Sequence, residues 1–437
     1  MITPLLSPRA GVPEVISTTS KFEEMIEKLI KGEGPIAIDA ERASGYKYSQ
    51  RAYLIQIFRK NGGLHLIDPI PFKESDLWEK FNKNFSKFEW VIHASTQDLP
   101  CLLELGLKPQ ILFDTELGAR IAGCPRVGLG PLSESLLELQ LAKEHSAVDW
   151  SIRPLKAEWL TYAALDVDVL LDIREQVEQL LIEKNKLDWA KEDFAAILST
   201  FKAKQDDPPK PDRWRRTSGM HKVRDRLSMT IIRDLWLSRN ELAQELDLAP
   251  GRVLGDEAIV EIALQRPTTP EAMAKVIGWR SKLDSQPFAR WLKVLQKSLD
   301  TPIEEQVELR VASQTLPPIK IWKDKNPLGY ARLTHARANI AALSTEIEIP
   351  AENLITPELV RKLCWELPPV DQSRYEEYVA TQLKNFGARS WQVDQVAPLI
   401  ASALPETEPL ITPESSPSQE APEEASEVAA HSSDPAL

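Results

Sequence analysis

The stretch from Gly34 to Phe58, GPIAIDAERASGYKYSQRAYLIQIF, carries the clearest structural signal in the sequence. Its apolar run Ile36–Ile38 follows Gly-Pro, and a bounded run of this kind predicts a short strand. Tyr53–Phe58 predicts a second strand and Leu64–Ile67 a third. The turn residues Asn61-Gly62-Gly63 separate the last two runs, which is typical of a hairpin. We therefore expect a sheet that contains a hairpin in this part of the chain.

Strand and helix patterns alternate around this stretch. Two more apolar runs, Trp90–His93 and Ile111–Phe113, predict further strands. The predicted helices are Phe22–Ile30, Leu77–Phe85, Leu99–Leu105 and a long one from Ala157 to about Glu183. A hairpin followed by strand–helix alternation predicts an α/β domain, in which helices flank a mixed sheet.

Beyond Leu187 the strand signals fade, and the chain reads as helices interrupted by proline and glycine. Pro250-Gly-Arg-Val-Leu254 lines up with Pro350-Ala-Glu-Asn-Leu354 at an offset of 100 residues, and each segment follows an amphipathic helix. This internal similarity predicts two small all-α helical domains of similar build. So few identities also arise by chance, and that alternative stays open.

The formal net charge of the 437 residues is −12, which taken alone argues against a nucleic-acid partner. Eight of the negative charges, however, lie in residues 406–437, and the chain without them carries −4. Because that segment is rich in proline, serine and glutamate, we expect a disordered acidic tail. The three cysteines form no Cys-x-x-Cys pair, and the sequence has no secretory signal and no membrane span. These features predict a cytoplasmic protein that does not bind membranes.

Five side chains stand where catalytic chemistry could use them. Asp39 and Glu41 end the first predicted strand, and residues i and i+2 of a strand face the same side. Asp98 follows the fourth predicted strand and starts a helix. Tyr162 and Asp166 are four residues apart on a predicted helix, so they share one helix face. A cluster of these groups would form if the three segments met.

Each of these features also has an ordinary structural explanation. Acids at strand ends are common turn residues. Asp98 stands three residues after Ser95, and the two could form a capping box. Tyr162 could be a buried tyrosine beside a solvated Asp166. The catalytic interpretation therefore depends on the combination of the five residues and on their order along the chain.

The order of these residues resembles the three exonuclease motifs of the ribonuclease D family. The motifs are Ile38-Asp-Ala-Glu-Arg42, Ala94-Ser-Thr-Gln-Asp-Leu99 and Tyr162-Ala-Ala-Leu-Asp-Val167. Supporting matches are Asp114-Thr115, Gly118-Ala-Arg120 and Asp149-Trp-Ser-Ile-Arg-Pro-Leu155. The resemblance is close over residues 15–185, and the helical part resembles two HRDC domains more loosely. Ala40 stands where many relatives have threonine, but its neighbours carry the acids.

The resemblance implies a ribonuclease-H-like fold and a metal-dependent 3′→5′ exoribonuclease that releases nucleoside 5′-monophosphates from RNA, for example in tRNA or stable-RNA processing. Clustered carboxylates suit two divalent cations, Mg²⁺ or Mn²⁺. In the mechanism that we expect, Asp39 bridges both ions and Asp98 supports the second. Glu41 and Asp166 hold the first ion, and Tyr162 orients the attacking water. The alternatives are a 3′→5′ DNA exonuclease and a non-catalytic RNA-binding adaptor.

Candidate contacts to nucleic acid fall into two groups. The first group lies near the motifs and consists of Tyr46, Tyr48, Gln56 and Gln97. The second lies in the basic segment 210–226 and consists of Arg213, Trp214, Arg215 and Arg216. Cations neutralise phosphates and aromatic rings stack on bases. The tyrosines could instead pack in the sheet, and the basic segment could be a connector whose tryptophan docks onto the next domain.

The sequence also predicts where the domains divide. The expected parts are an exonuclease domain (1–200), a basic linker (201–226), two HRDC-like helical domains (227–315 and 326–404) and the acidic tail (405–437). RNA with a single-stranded 3′ end is the expected partner, and no protein partner is identified.

Overall fold

A six-stranded mixed sheet forms the centre of the first 200 residues. The structure, a computed structural model, describes residues 2–142, 147–204, 212–278, 286–309 and 316–405. The strands are β1 (Thr3–Leu5), β2 (Val15–Ile16), β3 (Glu33–Arg42), β4 (Ala52–Lys60), β5 (Gly63–Ile67), β6 (Glu89–Ile92), β7 (Ile111–Asp114) and β8 (Leu139–Leu141). The helices of this α/β domain are α1 (Thr19–Ile30), α2 (Leu77–Phe85), α3 (Leu99–Glu104), α4 (Thr115–Ile121), α5 (Leu129–Leu137), α6 (Ala157–Asp168), α7 (Leu170–Glu183) and α8 (Leu187–Lys204). The expected α/β fold is confirmed.

The sheet has the strand order β2-β5-β4-β3-β6-β7, and a separate parallel pair joins β1 to β8. Strands β3, β4 and β5 are antiparallel neighbours, whereas β6 and β7 run parallel to β3. Between β4 and β5, Asn61 has φ 59° and Gly63 has φ 88°, a conformation that asparagine and glycine favour. The predicted hairpin is therefore present, at the predicted turn.

Helices α6 and α7 cover the face of the sheet that carries Asp39. Helix α6 packs on β3, β4 and β5, and α7 packs on β3 and β6. The prediction of one long helix from Ala157 to Glu183 was wrong, because the helix breaks at Val169. Neither proline nor glycine stands at the break. Both halves pack on β3, but α6 extends over β4 and β5 whereas α7 extends over β6, and this tertiary requirement leaves no local signal in the sequence.

Two helical modules follow the α/β domain. The first module (212–309) contains α9 (Arg226–Glu245), α10 (Pro250–Val253), α11 (Asp256–Gln265), α12 (Pro270–Ile277) and α13 (Gln286–Leu299). The second module (316–404) contains α14 (Trp322–Lys325), α15 (Pro327–Glu346), α16 (Ala351–Leu354), α17 (Pro357–Trp365), α18 (Tyr375–Asn385) and α19 (Ser390–Ala403). Helices α15, α16 and α17 begin 101 residues after α9, α10 and α11, so the structural offset is 101 and not the predicted 100.

The two modules differ in how they are packed. Buried residues of the second module belong to the same hydrophobic core as those of the α/β domain, whereas the first module has a core of its own. Trp214 is 3% exposed and lies in that separate core, so the alternative in which the tryptophan of the basic segment docks onto the next domain is confirmed. The remainder of the predicted linker, 205–211, and the predicted tail from residue 406 lie outside the described residues. No described helix is long and apolar enough to cross a membrane.

Candidate active site

A cavity of about 680 Å³ opens beside the carboxyl ends of β3 and β6. All five predicted site residues line it, namely Asp39, Glu41, Asp98, Tyr162 and Asp166. They come from three segments that are far apart in the sequence. The sheet order explains the meeting, because β3 and β6 are parallel neighbours and α6 lies across β3.

Three of the carboxylates form a tight group. Asp39, Glu41 and Asp166 each offer an oxygen, and these oxygens lie within 4.8 Å of one another. Asp39 and Glu41 alternate along β3, as the i, i+2 rule requires. Asp166 reaches them from α6, and Tyr162, one turn earlier, donates a hydrogen bond from its hydroxyl group to Asp166. The predicted helix face and the predicted strand face therefore meet.

Asp98 lies at the edge of this group. Its carboxyl group hydrogen-bonds to that of Asp39, and the Arg42 guanidinium lies 3.4 Å from its Oδ1. The capping-box explanation was wrong, because the backbone N–H and the hydroxyl of Ser95 do not pair with Asp98. Ser95 instead donates from its backbone N–H and its hydroxyl to Asp114, at 2.8 Å and 2.6 Å.

Burial and mutual repulsion govern the ionisation of the cluster. Burial, followed by the charges of Asp39, Asp166 and Asp98, holds the pKa of Glu41 well above its ordinary value. Burial, followed by the charge of Asp39, does the same to the pKa of Asp98. Burial also raises the pKa of Tyr162, so its hydroxyl stays protonated. Crowded carboxylates of this kind are relieved by a hard divalent cation with oxygen ligands. The donor set therefore fits such a cation.

His93 and Gln97 also line the cavity. The Nδ1 atom of His93 lies 2.9 Å from the Thr115 hydroxyl oxygen, as expected for a hydrogen-bonded histidine at a strand end. Burial lowers the pKa of His93, which favours the neutral ring. Gln97 is exposed at the rim, where a substrate could reach it. Its predicted role in nucleotide binding stays a prediction.

One wall of the cavity was missed by the sequence reasoning. Leu129, Pro131 and Leu141 give this wall an apolar surface, and Glu134 lies beside them. The wall comes from the start of α5 and the end of β8. The Gly-Leu-Gly-Pro run at 128–131 gives only a turn or helix-start signal, so nothing local in the sequence marked it. An apolar surface beside a carboxylate cluster suits the face of a nucleobase.

Two of the predicted contacts near the motifs are corrected by the structure. Gln56 pairs with Asp39 across the sheet but is fully buried and does not line the cavity. Tyr48 packs against the core of the first module, and its hydroxyl accepts a hydrogen bond from Asn240 at 3.1 Å. The Arg252 guanidinium lies 4.2 Å from the ring centre of Tyr46. Gln56 and Tyr48 are therefore directed at protein neighbours, whereas the Tyr46 ring is half-buried and its contact with a base stays a prediction.

The basic segment is corrected in part. Trp214 is buried in the first module, so its ring is not open to a base. Arg215 lies over that ring at 4.3 Å and donates to the carbonyl oxygen of Glu308. Arg213 and Arg216 are exposed. Contact between RNA and these two arginines stays a prediction.

Comparison with sequence families divides the chain into three matched regions. Residues 13–182 match the family described as 3′-5′ exonuclease. Residues 228–295 match the HRDC domain. Residues 315–404 match a family described as the 3′ to 5′ exonuclease C-terminal domain.

Individual relatives agree with these matches. Ribonuclease D of Desulfotalea psychrophila is 30% identical over 264 residues, which is 60% of this chain and 69% of that protein. Ribonuclease D of Bartonella henselae is 25% identical over 354 residues, 79% of this chain and 80% of that protein. A crystal structure of a protein from Bifidobacterium adolescentis has 34% identity and a TM-score of 0.83, and the match covers 92% of this chain and all of that one. The crystal structure of Escherichia coli RNase D, at 22% identity, has a TM-score of 0.63 over 90% of this chain and 98% of that one, which shows a shared fold.

Proposed function

Because the chain belongs to the ribonuclease D family, we propose that it is a 3′→5′ exoribonuclease that hydrolyses RNA 3′ ends to nucleoside 5′-monophosphates. One observation carries the proposal, namely the convergence of Asp39, Glu41 and Asp166 within 4.8 Å, with Tyr162 and Asp98 in the same cavity. A decayed site would have lost at least one of these groups, so a non-catalytic adaptor is disfavoured.

The positions of the carboxylates indicate which residues would bind metal. Asp39, Glu41 and Asp166 would hold one divalent cation, and Asp39 with Asp98 would hold a second, Mg²⁺ or Mn²⁺. Bound there, divalent cations supply an activated water and stabilise the leaving oxygen. The buried position of Glu41 and Asp98 suits this role, because burial and then the neighbouring carboxylates raise the pKa of both acids, and a cation would stabilise their charged forms.

Tyr162 supplies a neutral donor and acceptor beside the reacting phosphate. Its raised pKa keeps the hydroxyl protonated at any ordinary pH, and its hydrogen bond to Asp166 fixes the ring. The tilted Trp150 ring lies 6.4 Å from the Tyr162 ring between centres. A hydroxyl positioned in this way can orient the attacking water through its oxygen. It does not act as a general base, because the proton is held too tightly.

The apolar wall formed by Leu129, Pro131 and Leu141 would receive the base of the last nucleotide. A base that stacks on such a wall is bound through its face, so the enzyme would accept all four bases. The substrate is thus RNA with an unpaired 3′ end, with tRNA or other stable-RNA precursors as the expected class and the cytoplasm as the expected place of action. We keep the predicted division into an exonuclease domain and two HRDC-like helical domains as part of the proposal.

A labelled-substrate assay tests the proposal. RNA labelled at the 5′ end or at the 3′ end, and DNA of the same sequence, are incubated with Mg²⁺ or with chelator. We expect a ladder of 5′-labelled RNA, immediate release of 3′-labelled mononucleotide, slower attack on DNA and no reaction in chelator. Faster attack on DNA would favour the alternative DNA exonuclease.

Variants then test the site. Tyr162→Phe should lower turnover by about 100-fold, because the attacking water loses the hydrogen bond that orients it. Asp39→Asn should abolish turnover in Mg²⁺. Tyr378→Phe, in α18 and away from the cavity, is the matched control and should retain full activity. Activity of Tyr162→Phe equal to that of the control would contradict the role of Tyr162.

A further inference from the structure

Arg42 is a cavity residue to which the mechanism gives no role. It is the last residue of β3, and its side chain is 24% exposed. Strict strand alternation would turn it away from Asp39 and Glu41. A register shift between Glu41 and Arg42 interrupts the pairing with β4 at this point, and Arg42 lines the same cavity as the two acids. Irregular pairing commonly re-aims a side chain in this way.

Arg42 pairs with one of the four acids, and the other three form a group of their own. Asp39, Glu41 and Asp166 form a group whose oxygens are close enough to bind one cation together. Asp98 is not part of that group, and its Oδ1 lies 3.4 Å from the Arg42 guanidinium. Within the described ranges, Asp98 is the one acid with which Arg42 forms an ion pair. The three ligands of the first cation are therefore already close together. Asp98, a ligand of the second cation, is instead paired with Arg42.

We propose that Arg42 exchanges between two partners: it pairs with Asp98 in the enzyme without RNA, and it moves to the scissile phosphodiester when RNA enters, which frees Asp98 to help bind the second divalent cation. This inference rests on the proposed function for the identity of the incoming anion.

The chemistry of the guanidinium favours such an exchange. Arginine stays charged at all relevant pH values, and its planar fork of N–H donors matches a phosphate as well as a carboxylate. Its charge beside Asp98 repels a divalent cation and competes for the same carboxylate. A phosphodiester that attracts the guanidinium removes both obstacles together. RNA and the second cation should therefore strengthen each other's binding, as linkage requires.

A metal titration without RNA tests the first half of the exchange. The wild-type protein should bind one Mn²⁺ tightly and a second weakly. Arg42→Gln should strengthen the second affinity by roughly 5- to 150-fold, the usual range for coupled sites, and the first affinity by less, because Arg42 pairs with Asp98. Arg374→Gln, an exposed arginine in the second module, makes the same change in net charge and should resemble the wild type. A second Mn²⁺ affinity in Arg42→Gln equal to that of the control would overturn the proposal.

Binding of a short RNA in Ca²⁺ tests the second half. Arg42→Gln should bind it about 10-fold more weakly or worse, since a hydrogen bond to a charged group contributes about 1.5–3 kcal/mol. Arg42→Lys keeps the charge but loses the fork, so it should fall between the wild type and Arg42→Gln in both titrations. Thermal unfolding verifies that each variant is folded, and if Arg42→Gln is not, Arg42→Lys decides alone. Wild-type RNA affinity in Arg42→Lys and Arg42→Gln would overturn the exchange.

Neither titration depends on turnover. If the wild type fails to hydrolyse RNA but Arg42→Gln still strengthens the second Mn²⁺ site, the proposed function fails and the competition at Asp98 stands. If RNA is hydrolysed and both titrations of the variants match those of the wild type, the function stands and the exchange fails.

Discussion

Each helical module contacts the α/β domain through the turn that follows its long helix, but the two contacts differ. We call this turn the corner of the module. Asp247 of the first module and Glu348 of the second are 101 residues apart, the offset that relates the two modules. Both have a left-handed backbone, with φ 46° and 52°, and each follows the C-terminal end of the long helix of its module. Each then binds the α/β domain, Asp247 through Ser49 and Glu348 through Lys184.

The second module is joined through buried contacts. Lys186 is 5% exposed and donates to the carbonyl oxygens of Ile121 and Ile347, one in each part. Trp189 stacks on Trp391 with ring centres 4.9 Å apart, inside the shared core. These contacts lie on α8 and on the loops that precede it. Contacts of this kind stabilise the fold of the α/β domain.

The first module is joined through a polar loop. Residues 43–51 connect β3 to β4, and the loop begins directly after the acids of the cavity. Asp247 accepts a hydrogen bond from the Ser49 backbone N–H at 2.9 Å and pairs with Arg51. Ala249 donates to the carbonyl oxygen of Tyr46, and Arg252 to that of Gly45. The second module thus stabilises the α/β domain through a shared core, whereas the first module, of similar build, binds a loop beside the cavity.

Substitution of one buried tryptophan in each module tests whether the second module unfolds with the α/β domain and the first module unfolds separately. Trp391→Ala should cost about 3–5 kcal/mol and lower the unfolding temperature of the α/β domain together with the second module. Trp291→Ala, in the separate core of the first module, should have a similar cost but lower only a separate transition of that module. Differential scanning calorimetry resolves the two cases. A single transition that both substitutions lower equally would mean that the modules are joined alike.

The buried acid cluster should lower the stability of the α/β domain when no metal is bound, and contacts with the second module offset this loss. Burial and the charges of Asp39, Asp166 and Asp98 raise the pKa of Glu41, so the folded protein retains a proton that the unfolded chain releases. The free energy of unfolding without metal should therefore fall as pH rises above the ordinary value of 4.5, by about 1.4 kcal/mol for each unit by which the pKa is raised.

Glu41→Gln should lose less stability over this pH interval, and Mn²⁺ should reduce the loss in the wild type. Urea unfolding at pH 5 and pH 8, in chelator and in Mn²⁺, measures both effects. Parallel pH profiles for the variant and the wild type in chelator would contradict the raised pKa of Glu41.

Substitution of Asp247 and of Glu348, which occupy equivalent positions in the corners of the two modules, tests whether only the first module affects the cavity. Asp247→Ala removes hydrogen bonds to the loop after β3 and should lower RNA hydrolysis by about tenfold, which corresponds to one or two such bonds. Glu348→Ala removes an exposed ion pair with Lys184, which is worth at most about 1 kcal/mol, and should leave the rate within twofold. Steady-state rates on one RNA compare the two. Equal rates for both variants would show that the first module does not affect the cavity.

The lowered pKa of Asp247 should make this comparison independent of pH between pH 5 and pH 8. Burial alone would raise its pKa, but the hydrogen bonds from Ser49 and the charge of Arg51 outweigh burial and lower it below 3.8. The contribution of Asp247 to docking is therefore complete above the ordinary value and is lost only as pH falls through the lowered one. The effect of Asp247→Ala should stay constant from pH 5 to pH 8.

The sequence predicted which five side chains meet in the cavity because its signals are local. A strand places Asp39 and Glu41 on one side, a helix places Tyr162 and Asp166 on one face, and the motif order supplied the rest. The five strands and the hairpin turn were found for the same reason, since apolar runs and Asn-Gly pairs act over a few residues.

The failures concern side chains whose partners are distant in sequence. A tyrosine in a loop reads the same whether it stacks on a base or docks on another module, and Tyr48 docks. Trp214 lies among arginines, yet its ring is buried by the core of the first module. The break at Val169 and the wall at Leu129 likewise depend on packing between elements. Local pattern carries no information about such contacts.

The convergence of the acids on one metal site can be observed by diffraction. Crystals grown in Mn²⁺ with a short RNA, measured at the manganese absorption edge, should give an anomalous peak about 2.0–2.2 Å from oxygens of Asp39, Glu41 and Asp166, with a second peak between Asp39 and Asp98. Manganese bound elsewhere, with Asp166 or Asp98 turned away from Asp39, would contradict the site.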